Sequence, residues 1–315
     1  MRTAKEWDVV LVGELFVDEI LSGLQALPRL GEEAFARKYA REAGGGAAIT
    51  ACGLAKLGAK VAVLGVIGKD GEWLTQRLNG FGVDTTRLVL HPNEPTGLTV
   101  SVSTREDRAF FSYLGANDVL NPLLRCDEWI EFMSSARIVH IATSPDGNLD
   151  RELIPTLKHA GVLVSLDVQS HLSWLTSAVN LKILQTVDLF CPNESEAEWV
   201  AGETGVLPVL RGLRAKGLKR VAVKLGGKGA ALTWDQEELF VDPYPVMTED
   251  TTGAGDCFNA GFLYGLLRGR DVECCLNWGN ICGALSTREL GGLRGFPSLP
   301  ELHKAAKRRA KKVAK

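Results

Sequence analysis

The string "DTTGAGD", Asp250 to Asp256, sets two aspartates around two threonines and a Gly-Ala-Gly. Behind it, Phe258, Phe262, Leu263, Leu266 and Leu267 recur mostly at three- and four-residue steps, which predicts an apolar helix stripe starting near Asp256. Gly253, Ala254 and Gly255 then fall at the helix N-terminus. Small residues there let several backbone N–H groups converge on one anion, and the helix dipole adds to the attraction. Asp256 beside such a cradle repels a bound anion, yet it can take a proton from an attacking hydroxyl. A base for the acceptor next to a cradle for a moving phosphate is what phosphoryl transfer needs. The plainer alternative is a glycine turn with the aspartate as a helix cap. That suffices for a bare G-x-G-D; the seven-residue string with a fitting helix behind it favours the anion site.

Other chemistries lack their residues. A P-loop requires G-x-x-x-x-G-K-[ST], and neither "GVIGKD" nor "GGKGA" supplies it. The dinucleotide fingerprint fails because "GGGAAI" puts Ile49 where the last glycine should stand. The five histidines stand singly, and no G-x-S-x-G elbow occurs. Seven scattered cysteines without a C-x-x-C predict free, mostly buried thiols in a cytoplasmic protein rather than a disulfide framework or a zinc site. The net charge of -2 gives no global attraction to nucleic acid. The basic "HKAAKRRAKKVAK" reads as a solvated helix end, with a nucleic-acid arm as the alternative. No signal-peptide pattern opens the chain and no run is apolar enough for a membrane span.

These residues need a scaffold. The runs "WDVVLVG", "GAKVAVLGVIG", "ARIVHIA", "GVLVSLDV", "VDLFCP" and "KRVAVKLG" read as buried strands. Helix-like stretches lie between them, among them "AAITACGLAKLG", "GEWLTQRLNGFG" and "NESEAEWVAGE". Alternation of this kind predicts a parallel sheet covered by helices on both faces. Two stretches break the rhythm, about 14–40 and 96–117. In the second, Leu98, Val100 and Val102 alternate with Thr99, Ser101 and Ser103, "REDR" supplies a polar turn, and "AFFSYL" returns. That predicts an antiparallel hairpin with one wet face, part of a small β-sheet inserted as a lid or a dimer surface.

"DTTGAGDCFNAGF" resembles the C-terminal motif of the ribokinase-like, or PfkB, family of carbohydrate kinases, and "GGGAAITACGLAKLGAKVAVLGVIGKDGEW" resembles its N-terminal motif. The resemblance covers nearly the whole chain, 1–315, and implies a three-layer α/β/α sandwich with a small β-sheet lid. It implies an enzyme that moves a phosphoryl group from ATP, with Mg²⁺, to a sugar hydroxyl. Asp256 would be the base, and the amides of Gly253, Ala254 and Gly255 the anion hole. Asp250 and Thr252 match positions that hold a monovalent cation, K⁺, in many members. "PNESEAEW" matches an N-x-x-E element, so Asn193 and Glu196 would organise Mg²⁺ and phosphates through water; the same residues also spell a helix capping box. "KLGGKGA" resembles the loop lining the ATP site, giving Lys224, Gly226, Lys228 and Gly229, although a simple hairpin turn explains its glycines as well. Asp18, Gly44 and Gly45 match the sugar site.

Departures from the family narrow the acceptor. Ribokinase-type members have asparagine where this chain has Phe16 and Ile49, and an acidic residue near Thr143. A ribose site would lose hydrogen bonds by those changes. A ketohexose or other keto sugar is therefore expected before ribose, with a nucleoside as the alternative and a non-catalytic sensor on the same fold as a second. A homodimer through the lid is expected, because an exposed sheet edge needs cover.

Overall fold

The computed structural model describes residues 5–104, 108–169 and 171–313. In chain order the strands are β1 (Trp7–Gly13), β2 (Phe16–Ser22), β3 (Lys38–Gly44), β4 (Val61–Leu64), β5 (Val66–Ile67), β6 (Val89–Leu90), β7 (Gly97–Ser103), β8 (Arg108–Tyr113), β9 (Ala136–Ala142), β10 (Leu163–Asp167), β11 (Leu189–Phe190), β12 (Arg220–Lys224), β13 (Ala230–Trp234) and β14 (Glu237–Val241). Eight of these form one sheet in the order β14-β13-β12-β11-β10-β9-β1-β4. From β4 to β12 the pairs are parallel. The pairs β12/β13 and β13/β14 are antiparallel, so two strands beyond those read from the sequence extend the expected parallel sheet. Only residues 225–229, which include the turn Gly226–Lys228, separate β12 from β13, too few for the crossover a parallel pair demands.

Alternate residues of β1 enter opposite cores. Val9 and Leu11 pack with the helices Gly46–Lys56, Ala254–Leu267 and Val272–Ser286. Val10 and Val12 pack with Asp127–Ser134, Leu153–His159 and Val206–Ala215 on the other face. A strand covered on both sides reads as an unbroken apolar run, which is why "WDVVLVG" was legible. The result is a three-layer α/β/α sandwich. The run "GAKVAVLGVIG" is not one strand but β4 and β5, broken at Gly65; β5 pairs with β6 in a separate ribbon.

The helix Ala254–Leu267 carries no single stripe. Every residue from Cys257 to Gly265 is buried, because Gly46–Lys56 packs on one flank and Val272–Ser286 on another. Gly261 and Gly265 allow the second contact: a Cβ on either would come within 2.8 Å of a cysteine Sγ of Val272–Ser286.

A second sheet has the order β3-β2-β7-β8. It extends the expected segment by running to Gly44. The β7/β8 pair is antiparallel, with Thr99 opposite Ser112 and Val100 opposite Phe111. The alternation holds, but the apolar face is only partly covered, with Val102 buried. Thr99 and Ser112 turn to the interior cleft, whereas Leu98, Phe111 and Tyr113 are exposed. The polar turn expected at "REDR" falls largely on 105–107, outside the described residues.

Candidate active site

The sheet's parallel strands end at a single cleft of about 1000 Å³, where open α/β sheets place their ligands. Glu14 follows β1, Asp167 ends β10, Asn193 follows β11 and Lys224 ends β12. The small sheet forms the facing wall with Phe16, Asp18, Arg108 and Phe110. The N-terminus of Ala254–Leu267 forms the floor.

Gly253 is the N-cap of that helix, with φ 69° and no side-chain cap. A left-handed turn there favours glycine. Asp256 is thus not a cap; it sits in the first turn and lines the cleft. The N–H of Ala254 reaches the Thr251 carbonyl over a long 3.3 Å, whereas Gly253 and Gly255 donate to no described acceptor. The open cradle is therefore chiefly the two glycine amides. Burial, with the charge of Asp167 second, pushes the Asp256 carboxyl up to about 7; Lys224 opposes the shift and Glu196 adds to it. A carboxyl near neutrality beside unpaired N–H donors can accept a proton while an anion binds next to it.

Behind Asp256 lies a buried polar unit. Asp167 Oδ2 accepts from Lys224 Nζ at 2.5 Å and from Asn259 Nδ2 at 2.7 Å. Burial disfavours the Asp167 carboxylate, but Lys224 and Asn259 outweigh it and hold its pKa below the ordinary value. Asn259 lies three residues beyond Asp256 on the same helix, the spacing that brings both to one face.

At the other end, Asp18 is buried on β2, and burial with the charge of Asp256 pushes its carboxyl up to about 7. Gly44 sits opposite Phe16 on β3 and does not line the cleft; a Cβ there would fall 1.9 Å from Asp18 Oδ1, so its bareness makes room for that carboxylate. Gly45 does line the cleft, with φ 86° and ψ 142°. Ile49 packs beneath the Gly253 turn: a Cβ on Gly253 would lie 2.9 Å from Ile49 Cδ1.

Asp250 Oδ1 accepts from the Thr252 N–H at 2.9 Å and hydroxyl at 2.8 Å, and Oδ2 accepts from the Gly291 N–H at 2.8 Å. These bonds order the loop. Asn193 and Glu196 form a full capping box on the helix Glu194–Ala201, and both also line the cleft. Gly226 faces open space, while Gly229 is fixed by packing, since a Cβ there would meet the Val241 carbonyl at 2.0 Å. Lys228 is not brought to the cleft; its ammonium pairs with Glu194 at 2.9 Å on the surface. Its neighbours Gly226, Gly227 and Gly229 line the cleft, so it is the Lys228 side chain alone that turns away.

Sequence reading missed Glu14, Asp167, Gln169, Arg108, His171 and Asn259, all at or beside the cleft. Glu14 accepts from Thr143 Oγ1 at 2.6 Å, so an acid does stand at the position where Thr143 suggested none. A Cβ on Gly46 would lie 1.7 Å from Gln169 Nε2 and 3.0 Å from Asp256 Oδ1, which places the Gln169 amide close to the Asp256 carboxyl. Acids at strand C-termini were the available signal: "SLD" and "VGE" both carry one.

A family model described as pfkB family carbohydrate kinase matches residues 8–299. Ribokinase of Arabidopsis thaliana is 30% identical over 306 residues, covering 93% of this chain and 78% of that protein. The 2-dehydro-3-deoxygluconokinase of Bacillus subtilis is 28% identical over 267 residues, covering 80% and 82%. The solved structure of Arabidopsis thaliana ribokinase complexed with ribose and ATP superposes with a TM-score of 0.83 at 27% identity, covering 96% of this chain and 99% of that one.

Proposed function

Because the chain belongs to the pfkB family of carbohydrate kinases and is an ATP-dependent carbohydrate kinase, we propose that it phosphorylates a keto sugar at a primary hydroxyl, with Asp256 as the base. The observation that carries the base assignment is the Asp256 carboxyl, held near neutrality beside the open amides of Gly253 and Gly255. The acceptor hydroxyl gives its proton to Asp256 as its oxygen attacks the γ-phosphorus. Asp18 anchors other hydroxyls of the sugar from the small sheet, which acts as a lid that excludes water.

ATP would lie between Gly226, Tyr244 and Ala284, which line the cleft, with its phosphates toward Gly253. Among the described residues no group of three ligating side chains could hold a metal ion. Both Glu196 oxygens already accept from Asn193, at 2.9 and 2.7 Å. That fits Mg²⁺ carried by the phosphates and water, with Glu196 behind it. When bound, the ion neutralises phosphate charge. A monovalent cation at Asp250 and Thr252 would add to an order that hydrogen bonds already impose.

A keto sugar is favoured because Phe16 and Ile49 keep this wall apolar where ribose would want amides, while Arg108 on the lid complements a sugar acid. The relative that acts on 2-dehydro-3-deoxygluconate supports that reading. An acceptor screen tests it: kcat/KM is measured with 2-keto-3-deoxygluconate, fructose, ribose, adenosine and inosine. The keto sugars should exceed ribose by at least about tenfold. Ribose or a nucleoside as the best acceptor would overturn the choice.

The lid's outer face carries Tyr39, Leu98, Phe111 and Tyr113, which are 62%, 37%, 63% and 52% exposed. We propose that a second copy of the chain covers this face. Sedimentation should then give a dimer that Phe111→Lys and Tyr113→Lys convert to monomer; a wild-type monomer at all accessible concentrations speaks against it.

A further inference from the structure

The polar unit behind Asp256 is larger than a base requires. Lys224 ends β12, and its ammonium is nearly buried, with the side chain 12% exposed. One of its three N–H groups goes to Asp167 Oδ2 at 2.5 Å. The side chain lies along the anion cradle: a Cβ on Gly255 would sit 3.5 Å from Lys224 Nζ. Lys224 lines the same cleft as Gly253 and Gly255, and its other donors meet no described acceptor. Asn259 shares the same Asp167 oxygen at 2.7 Å, which fixes the carboxylate from the helix side.

We propose that Lys224 is a catalytic cation that contacts the phosphoryl group in transfer, and that Asp167 is the positioning residue holding it against the cradle. The proposal rests on the kinase reading above. In the step, the acceptor oxygen forms a bond to the γ-phosphorus and its proton passes to Asp256. The bond from the γ-phosphorus to the bridging oxygen breaks, and its electrons leave with ADP. Lys224 gives up no proton; it stabilises negative charge on the equatorial oxygens, which two neutral amides alone would carry poorly. Burial works against its charge, yet Asp167, Glu196 and Asp256 outweigh burial and hold its pKa above the ordinary lysine value. Lys224 therefore stays cationic whenever Asp256 can act as a base.

The groups facing Asp256 are Asp167 from β10, Lys224 from β12, Glu196 from the helix Glu194–Ala201 and Asp18 from β2. They give the test a signature that loss of packing alone would not produce. The wild type is first shown to release ADP only with a sugar acceptor; if it does not, the kinase reading fails and not this proposal. Lys224→Met should then lower kcat by about 10²–10³-fold, with ATP affinity by calorimetry changed less than about fivefold. Its acidic limb in kcat/KM should move to higher pH, while that of Asp167→Asn moves to lower pH, because Lys224 opposes and Asp167 reinforces the raised carboxyl of Asp256. Lys224→Arg should restore part of kcat. Should Lys224→Met fold poorly, the double variant with Asp167→Asn removes the stranded charge and should remain at least about 10²-fold slow. A kcat within about threefold of wild type in either methionine variant overturns the proposal. So does a loss accounted for wholly by weaker ATP binding, or limbs that shift in the same direction.

Discussion

Asp256→Asn lowers kcat by about 10²–10⁴-fold, leaves ATP bound, and raises the melting temperature. The activity loss follows from removing the proton acceptor while keeping the shape. The stability gain follows from the same carboxyl. Its pKa is about 7 in the folded chain, raised first by burial and then by Asp167. An unfolded aspartate titrates near roughly 4. Between those values the native state holds a proton that the unfolded state has released, so stability falls as pH rises. Above about 7 the cost is constant. The melting difference between Asp256→Asn and wild type should therefore grow from about pH 4 to about pH 7 and then level off. In activity the sign is opposite: the base must be deprotonated, so wild-type kcat/KM should rise with pH toward a plateau above about 7. Asp18 titrates in the same region and is coupled to Asp256, so the limb belongs to the pair. Calorimetric melting and initial rates across that range check both curves. An Asp256→Asn variant that turns over like wild type removes Asp256 from the base role.

Gly45→Ala should be nearly as damaging, by a different route. Gly45 links β3 to the helix Gly46–Lys56 with φ 86° and ψ 142°, a region that only glycine occupies freely. A Cβ there would lie 2.2 Å from the Glu14 carbonyl oxygen and 3.3 Å from the Phe16 ring. Neither backbone can yield cheaply, because Gly44 is paired with Phe16 and Gly46 abuts Gln169. Backbone strain of about 1–3 kcal/mol then adds to overpacking of about 1–3 kcal/mol. Asp18 and the Gln169 amide would shift with the turn, and a displacement of about 1 Å in a catalytic site costs on the order of 10²-fold in rate. Gly58→Ala is the control: φ is 90° but a Cβ would meet nothing within 4 Å. Chemical denaturation should show Gly45→Ala clearly less stable than Gly58→Ala. Equal losses would mean that the contact with Glu14 carries no weight.

Much of this site could be read before the fold was known, because its core is local. Gly253 to Asp256 are adjacent in the chain, so their shared helix end follows from spacing alone. The capping box at Asn193 and Glu196 is local in the same way. What escaped depends on distant segments meeting. Asp167 and Lys224 are 57 residues apart, and nothing in either neighbourhood names the other. Lys228 sits two residues from Gly226 yet its side chain leaves the cleft, drawn to Glu194 on a distant helix. Sequence periodicity gave the helix after Asp256 one apolar face; the fold packs neighbours around it, so its small residues are contacts and not a polar side. The small sheet shows the same limit. Alternation in β7 was plain, but which face met the cleft depended on β2 and on the helix floor beneath.

The central claim is acceptor-dependent phosphoryl transfer at the Asp256 end of the helix. Its most direct test is ADP release by the wild-type chain with MgATP, with and without 2-keto-3-deoxygluconate or fructose, while the phosphorylated product is counted. The account predicts ADP release that requires the acceptor and is matched mole for mole by phosphorylated sugar. Release at one rate whether or not an acceptor is present, with free phosphate as the only product, would contradict it.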